Sequence, residues 1–113
     1  MMATVAMRPP YGWLVMVEGP EKRKHWQVDE VSTIGLRGDI PIGEDRFRKD
    51  ICATIVYDKR QRRFFISTND DSMPLYVDGE FVSGRRELGA RSDLQLGDRV
   101  MRFVAFCGDD FSW

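Results

Sequence analysis

The sequence predicts an all-β fold, a two-sheet sandwich in a single domain. Short apolar and aromatic runs recur from end to end, and clusters of Gly, Pro, Asp and Asn separate them. No stretch of helical length carries a 3.6-residue apolar period. The 113 residues give room for one hydrophobic core, and 42% hydrophobic against 31% charged residues is the balance of a folded globular chain.

Residues 1–10 read as a flexible N-terminal segment, with the domain over 11–113. Met1 to Met7 is mildly apolar, but Arg8-Pro9-Pro10 interrupts it before a signal-peptide core is reached. No long apolar run follows, so a cytoplasmic protein without membrane insertion is expected. Trp13-Leu14-Val15-Met16-Val17 is the first strand. Trp13, Val15 and Val17 share one face and Leu14 and Met16 the other, the pattern of a strand covered on both sides. Gly19-Pro20 stops it, Glu21-Lys22-Arg23-Lys24 forms a polar turn, and His25 to Val28 returns. Val31 to Ile34 is a third strand, ended by Gly35.

From Leu36 to Asp50 the chain is rich in Gly, Pro and charge, which predicts a long irregular loop with one brief strand anchored by Ile40 and Ile42. Ala53 to Tyr57 and Arg62 to Ile66 form a hairpin across the polar Asp58-Lys59-Arg60-Gln61. Tyr76-Val77 and Glu80-Phe81-Val82 flank Asp78-Gly79, a pair suited to a two-residue turn with positive φ. Leu94-Gln95-Leu96 leads through Gly97-Asp98 into Arg99 to Phe106, where Val100, Phe103 and Phe106 do not share one face. A bulge or burial on both sides would reconcile them. The acidic ending Gly108 to Trp113, with two aromatics, is expected to fold back on the sandwich.

Lys plus Arg number 17 and Asp plus Glu 18, so no global field favours a polyanion and nucleic acid is not the expected partner. Lys22-Arg23-Lys24 and Arg60 to Arg63 are basic, but alternation sends most of the aromatics beside them to the core. Cys52 and Cys107 sit in apolar runs and read as buried thiols, although spacing alone leaves a disulfide open. His25, the only histidine, has no nucleophile signature beside it and reads as structural. Asp70-Asp71 reads as turn chemistry rather than a metal site. No metal, cofactor or catalytic constellation is expected.

The order of these landmarks resembles the forkhead-associated (FHA) domain over nearly the whole chain, from Gly12-Trp13-Leu14-Val15 to Trp113. Val77-Asp78-Gly79-Glu80-Phe81-Val82 is similar to the family's Val-Asn-Gly turn and following strand, and Leu94 to Phe103 to its closing strands. Ile34-Gly35 and the later Asp39-Ile40-Pro41-Ile42 are similar to its Ile-Gly-Arg run and Asp-Ile-x-Leu segment. Glu18-Gly19-Pro20 and the Phe106-Cys107-Gly108 ending resemble a group of small bacterial members. The resemblance implies a β-sandwich whose loops at one end bind a phosphothreonine peptide, without cofactor or chemistry. A dianionic phosphate needs converging cations and hydrogen-bond donors.

On this resemblance the candidate peptide-binding residues are Arg37, Arg48, Lys49, Asn69 and Ser72. The match is imperfect at each place. Leu36 stands where the family has Arg after Gly, which leaves the guanidinium one residue later at Arg37. Arg48, Lys49 and Cys52 take the places of a serine, an arginine and a structural histidine, and Lys lacks the planar fork of Arg. Asp70-Asp71 adds carboxylates that would repel phosphate, at on the order of 1 kcal/mol for each close pair. The sequence is thus compatible with phosphothreonine recognition, with phosphate-independent binding of a protein partner through the same loops, or with a solvated basic rim. A separate class is an assembly component that docks by a sheet face or edge; the oligomeric state is not fixed by the sequence.

Overall fold

The computed structural model describes residues 8–43, 50–70 and 72–113. Eleven strands form among them: β1 (Gly12–Glu18), β2 (His25–Val28), β3 (Val31–Gly35), β4 (Ile40–Pro41), β5 (Ala53–Asp58), β6 (Arg63–Thr68), β7 (Leu75–Val77), β8 (Glu80–Phe81), β9 (Arg85–Leu88), β10 (Arg91–Leu96) and β11 (Arg99–Ala105). One sheet has the order β2-β1-β11-β10-β7-β8 and the other β4-β3-β5-β6-β9. Among the described residues, only the short β3–β4 pair is parallel. The chain is all-β, as its alternation predicts, and no described helix is long and apolar enough to cross a membrane.

The two sheets bury their facing sides against one another. Leu14 and Met16 from β1, Leu94 and Leu96 from β10, and Met101 and Phe103 from β11 meet Ile34, Ile55, Tyr57, Phe64 and Ile66 from the other sheet. A line of rings joins the layers, with centroids 5.3 Å apart for Tyr11–Tyr57, 4.7 Å for Tyr57–Phe64 and 4.8 Å for Phe64–Phe103. Tilted and edge-on rings at these distances add to the burial they provide.

The predicted hairpins form. Asp58 sits at the start of the β5–β6 turn, where its carboxylate accepts from the amides of Arg60 and Gln61. Asp78 and Gly79 hold φ of 50° and 83°, the backbone that lets a two-residue loop follow the strand twist. Cys52 and Cys107 are buried as thiols and are not joined in a disulfide. The C-terminal residues do fold back: Trp113 Nε1 donates to the Pro10 carbonyl at 2.7 Å and Tyr57 Oη to Ser112 Oγ at 3.0 Å. The Arg8 side chain pairs with Asp29, and Gln27 Nε2 donates to the Arg8 carbonyl.

Three features differ from expectation. Among the described residues, the outward side of the first strand is only partly covered: Trp13 is 40% exposed, while Val15 and Val17 are half-buried. In β11, Val100 and Phe103 simply face opposite ways, and the irregularity lies in the neighbouring strand, where the β1 register shifts between Met16 and Glu18. Strand β9 has only Leu88 buried, so its charges hide it from pattern reading; as an edge strand it is protected by those charges. Phe103→Ala removes the ring that joins the last strand to the opposite sheet and is expected to cost about 3–5 kcal/mol in urea unfolding.

Candidate functional site

Three loops meet at one end of the sandwich because their bases are stitched by backbone hydrogen bonds. The Cys52 amide donates to the Ile34 carbonyl at 2.8 Å, the Asn69 amide to the Cys52 carbonyl at 2.8 Å, and the Arg37 amide to the Asp50 carbonyl at 3.2 Å. The approach requires glycine at position 35: a Cβ there would lie 2.2 Å from the Asp50 carbonyl oxygen and 2.9 Å from the Ile51 Cα. Within the β3–β4 loop, Asp39 accepts from the amide and hydroxyl of Thr33, whose Oγ1 accepts in turn from the Asp39 amide.

The candidate residues share this end in part. Arg37 is 80% exposed at its side chain, with Nε 3.5 Å from Asp50 Oδ2. A surface pair of this kind holds by about 1 kcal/mol or less and yields readily to a stronger anion. Asn69 Oδ1 accepts from Thr54 Oγ1 at 2.8 Å. Ser72 is exposed, but its hydroxyl donates to Asp70 Oδ1 at 2.6 Å and its amide to the same oxygen at 3.0 Å. Asp70 itself is 2% exposed, so its carboxylate closes the turn from inside instead of standing at the rim. Arg48, Lys49 and Asp71 lie outside the described residues.

Beneath Asp70, burial first and the Asp70 charge second push the Cys52 thiol up to about 11. It is therefore protonated at neutral pH and acts as core filler. A shallow cleft of ≈ 200 Å³ runs from Thr68 past Met73 and Pro74 to Phe81 and Ser83. That is smaller than an enclosed small-molecule site and nearer the size of one side chain of a peptide. His25 is exposed on the edge strand β2.

Sequence reasoning missed two arginines here. Arg85 pairs in register with Ser67, and its guanidinium stacks 3.8 Å from the Phe65 ring centroid, which presents a cation on the outer face beside the loops. Arg99 is 1% exposed, inside the core. Its Nε lies 2.8 Å from Glu21 Oε1 and its Nη2 3.1 Å from Oε2, a two-pronged pair, while Nη1 reaches Asp98 at 3.3 Å. The available signal was parity: Arg99 shares the inward face of β11 with Met101 and Phe103.

Burial pushes the Glu21 carboxyl up, but the Arg99 hydrogen bonds and charge, with backbone donors from Glu21 and Gly43, outweigh it and hold the group below its usual value of 4.5. A depressed carboxyl contributes stability that is complete above the unfolded value and is lost as pH falls through the folded one. Glu21→Gln is therefore expected to flatten the loss of thermal stability below about pH 4.5. Glu21→Ala removes the two-pronged partner of a buried guanidinium, leaving the longer contact to Asp98, and is expected to cost about 3 kcal/mol, most of it recovered in Glu21→Leu/Arg99→Met. Gly35→Ala forces the Asp50 backbone away and is expected to destabilise by about 1–3 kcal/mol in denaturant titration.

No protein-family model matches the sequence, and no curated protein matches it. Solved structures do match. The FHA domain of a Chlamydia trachomatis protein superposes with a TM-score of 0.70 at 17% identity, covering 84% of this chain and 97% of that one. The FHA domain of an Arabidopsis thaliana hypothetical protein gives 0.67 at 16% identity over 99% of both chains. Mycobacterium tuberculosis EmbR, solved in complex with a low-affinity phosphopeptide, gives 0.66 at 16% identity over 85% of this chain, which spans 24% of EmbR. With its two-sheet order, its turn at Asp78-Gly79 and its loops gathered at one end, this chain has the FHA-domain fold.

Proposed function

We propose that this domain is a non-catalytic protein-interaction module that binds a threonine-containing segment of a partner protein, in its phosphorylated form, through the loops bearing Arg37, Arg48, Lys49, Asn69 and Ser72. The observation that carries the reading is the stitching of the Arg37 and Asn69 loops at one end of an FHA fold, with Arg37 extended into solvent. EmbR, similar in fold, is a phosphopeptide binder by its own complex. A phosphate replaces Asp50 as the partner of Arg37 at little cost, because that pair is exposed.

A second reading, phosphate-independent docking at the same loops, draws on the engagement of the Ser72 hydroxyl by Asp70. Titration with matched phosphothreonine and unmodified peptide libraries separates the two. The phosphorylated form is expected to bind more tightly, with affinity falling as salt rises. Arg37→Glu or Lys49→Glu is expected to remove that preference at a cost of about 1.5–3 kcal/mol, roughly tenfold to a hundredfold in Kd. Equal affinity for both peptides at all salt concentrations would sink the phosphate reading in favour of the second.

A further inference from the structure

Among the described residues, the outer face of the six-stranded sheet carries apolar side chains on β1, β11, β7 and β8, a charged pair between them, and the polar His25 and Gln27 on the β2 edge. Because Leu14 and Met16 turn inward, β1 sends Trp13, Val15 and Val17 outward, next to Val100 and Val104 of β11. At the other margin stand Tyr76 and Phe81, rings edge-on at 5.7 Å, with Phe81 63% exposed. Between them Arg102 Nε meets Asp93 Oδ1 at 2.9 Å across β10 and β11, each side chain about half exposed. In register, His25, Val15, Arg102 and Asp93 form one row, Val100, Gln95, Tyr76 and Phe81 the next, and Gln27, Trp13, Val104 and Arg91 the row on the other side.

We propose that this face is a self-association surface on which a second copy of the chain docks face to face. A two-fold axis along the strands, between β10 and β11, lays β1 of one copy over β7 of the other. Each Arg102 then lies over the other copy's Asp93, giving four charges of alternating sign, and Val17 meets Tyr76. A face that carries both members of its own complementary set meets the requirement of an isologous contact, in which the same patch serves both subunits. The charges set the register, and apolar contact is limited to pairs such as Val17 on Tyr76, because the same two-fold lays Val104 over the other copy's Arg91.

Five inter-strand spacings of about 4.8 Å and five residues of about 3.3 Å outline a face of roughly 400 Å². A standard interface covers roughly 800 Å² per partner, so the association is weak and concentration-dependent. Most of the face lies apart from the loops at the end of the sandwich; Phe81 is shared, because it also lines the cleft that runs from Thr68 to Ser83.

Sedimentation equilibrium of the full chain, from low micromolar to millimolar concentration, tests this. The weight-average mass is expected to rise from one chain toward two. Arg102→Glu, which puts like charges together, is expected to weaken association about tenfold or more. The swap Arg102→Glu/Asp93→Arg restores it, and Val15→Glu abolishes it while thermal unfolding stays that of the folded domain. A strictly monomeric chain throughout the range overturns the proposal, as does association that ignores both Val15→Glu and the charge changes.

Discussion

A guanidinium at 1% exposure has five donors and almost no water to receive them, so the buried Arg99 dictates what surrounds it. The Glu21 carboxylate must come to it, which fixes how the opening hairpin folds over the last strand. Gly43 contributes a backbone bond to the same carboxylate, so the start of the β4–β5 loop is drawn to the same point. Gly19 passes with a Cβ position only 3.0 Å from Arg99 Cγ, at a φ of 122°, a conformation that suits glycine. Burying an ion pair is costly in itself; its use is that neither partner tolerates an alternative arrangement. The end of the sandwich that carries the loops is thereby given a fixed floor.

On that floor, fixed backbone and free side chains are separated. The bonds among Ile34, Cys52 and Asn69 hold the loop bases, and the Asp70 carboxylate locks the β6–β7 turn from within. Arg37 alone among the described candidates reaches far into solvent. The site presents polar tips on a rigid base, the division expected where recognition depends on orientation and not on burial. Cys52, buried and protonated, fills the space below.

The outer faces of the two sheets carry different groups. On the five-stranded sheet, Phe65 lies under the Arg85 guanidinium and pairs in register with Val56, which pairs with the exposed Val31, while Thr54 and Ser67 beside them are polar. On the six-stranded sheet, the valines of β1 and β11 and the margin rings have no such cover among the described residues. The loop end and the sheet face thus differ in chemistry and meet at Phe81.

Local chemistry made much of this legible. Alternation in Trp13 to Val17 and Ala53 to Tyr57, Asp58 and Asp78-Gly79 in the turns, and the abrupt Gly35 each state their own geometry, since strand period and positive φ are properties of neighbouring residues. Their order along the chain determined the fold class and the end at which the loops gather. What only the tertiary structure decided is which side of each element is covered. Parity says that Trp13 and Val15 share a face, but not that this face stays partly open; it aligns Arg99 with Phe103, but not that Glu21, 78 residues away, meets it in the core. It could not turn Asp70 inward or recruit the charged β9 as a strand. Those outcomes depend on contacts between distant segments, where desolvation and hydrogen bonding are settled together, and no local pattern contains them.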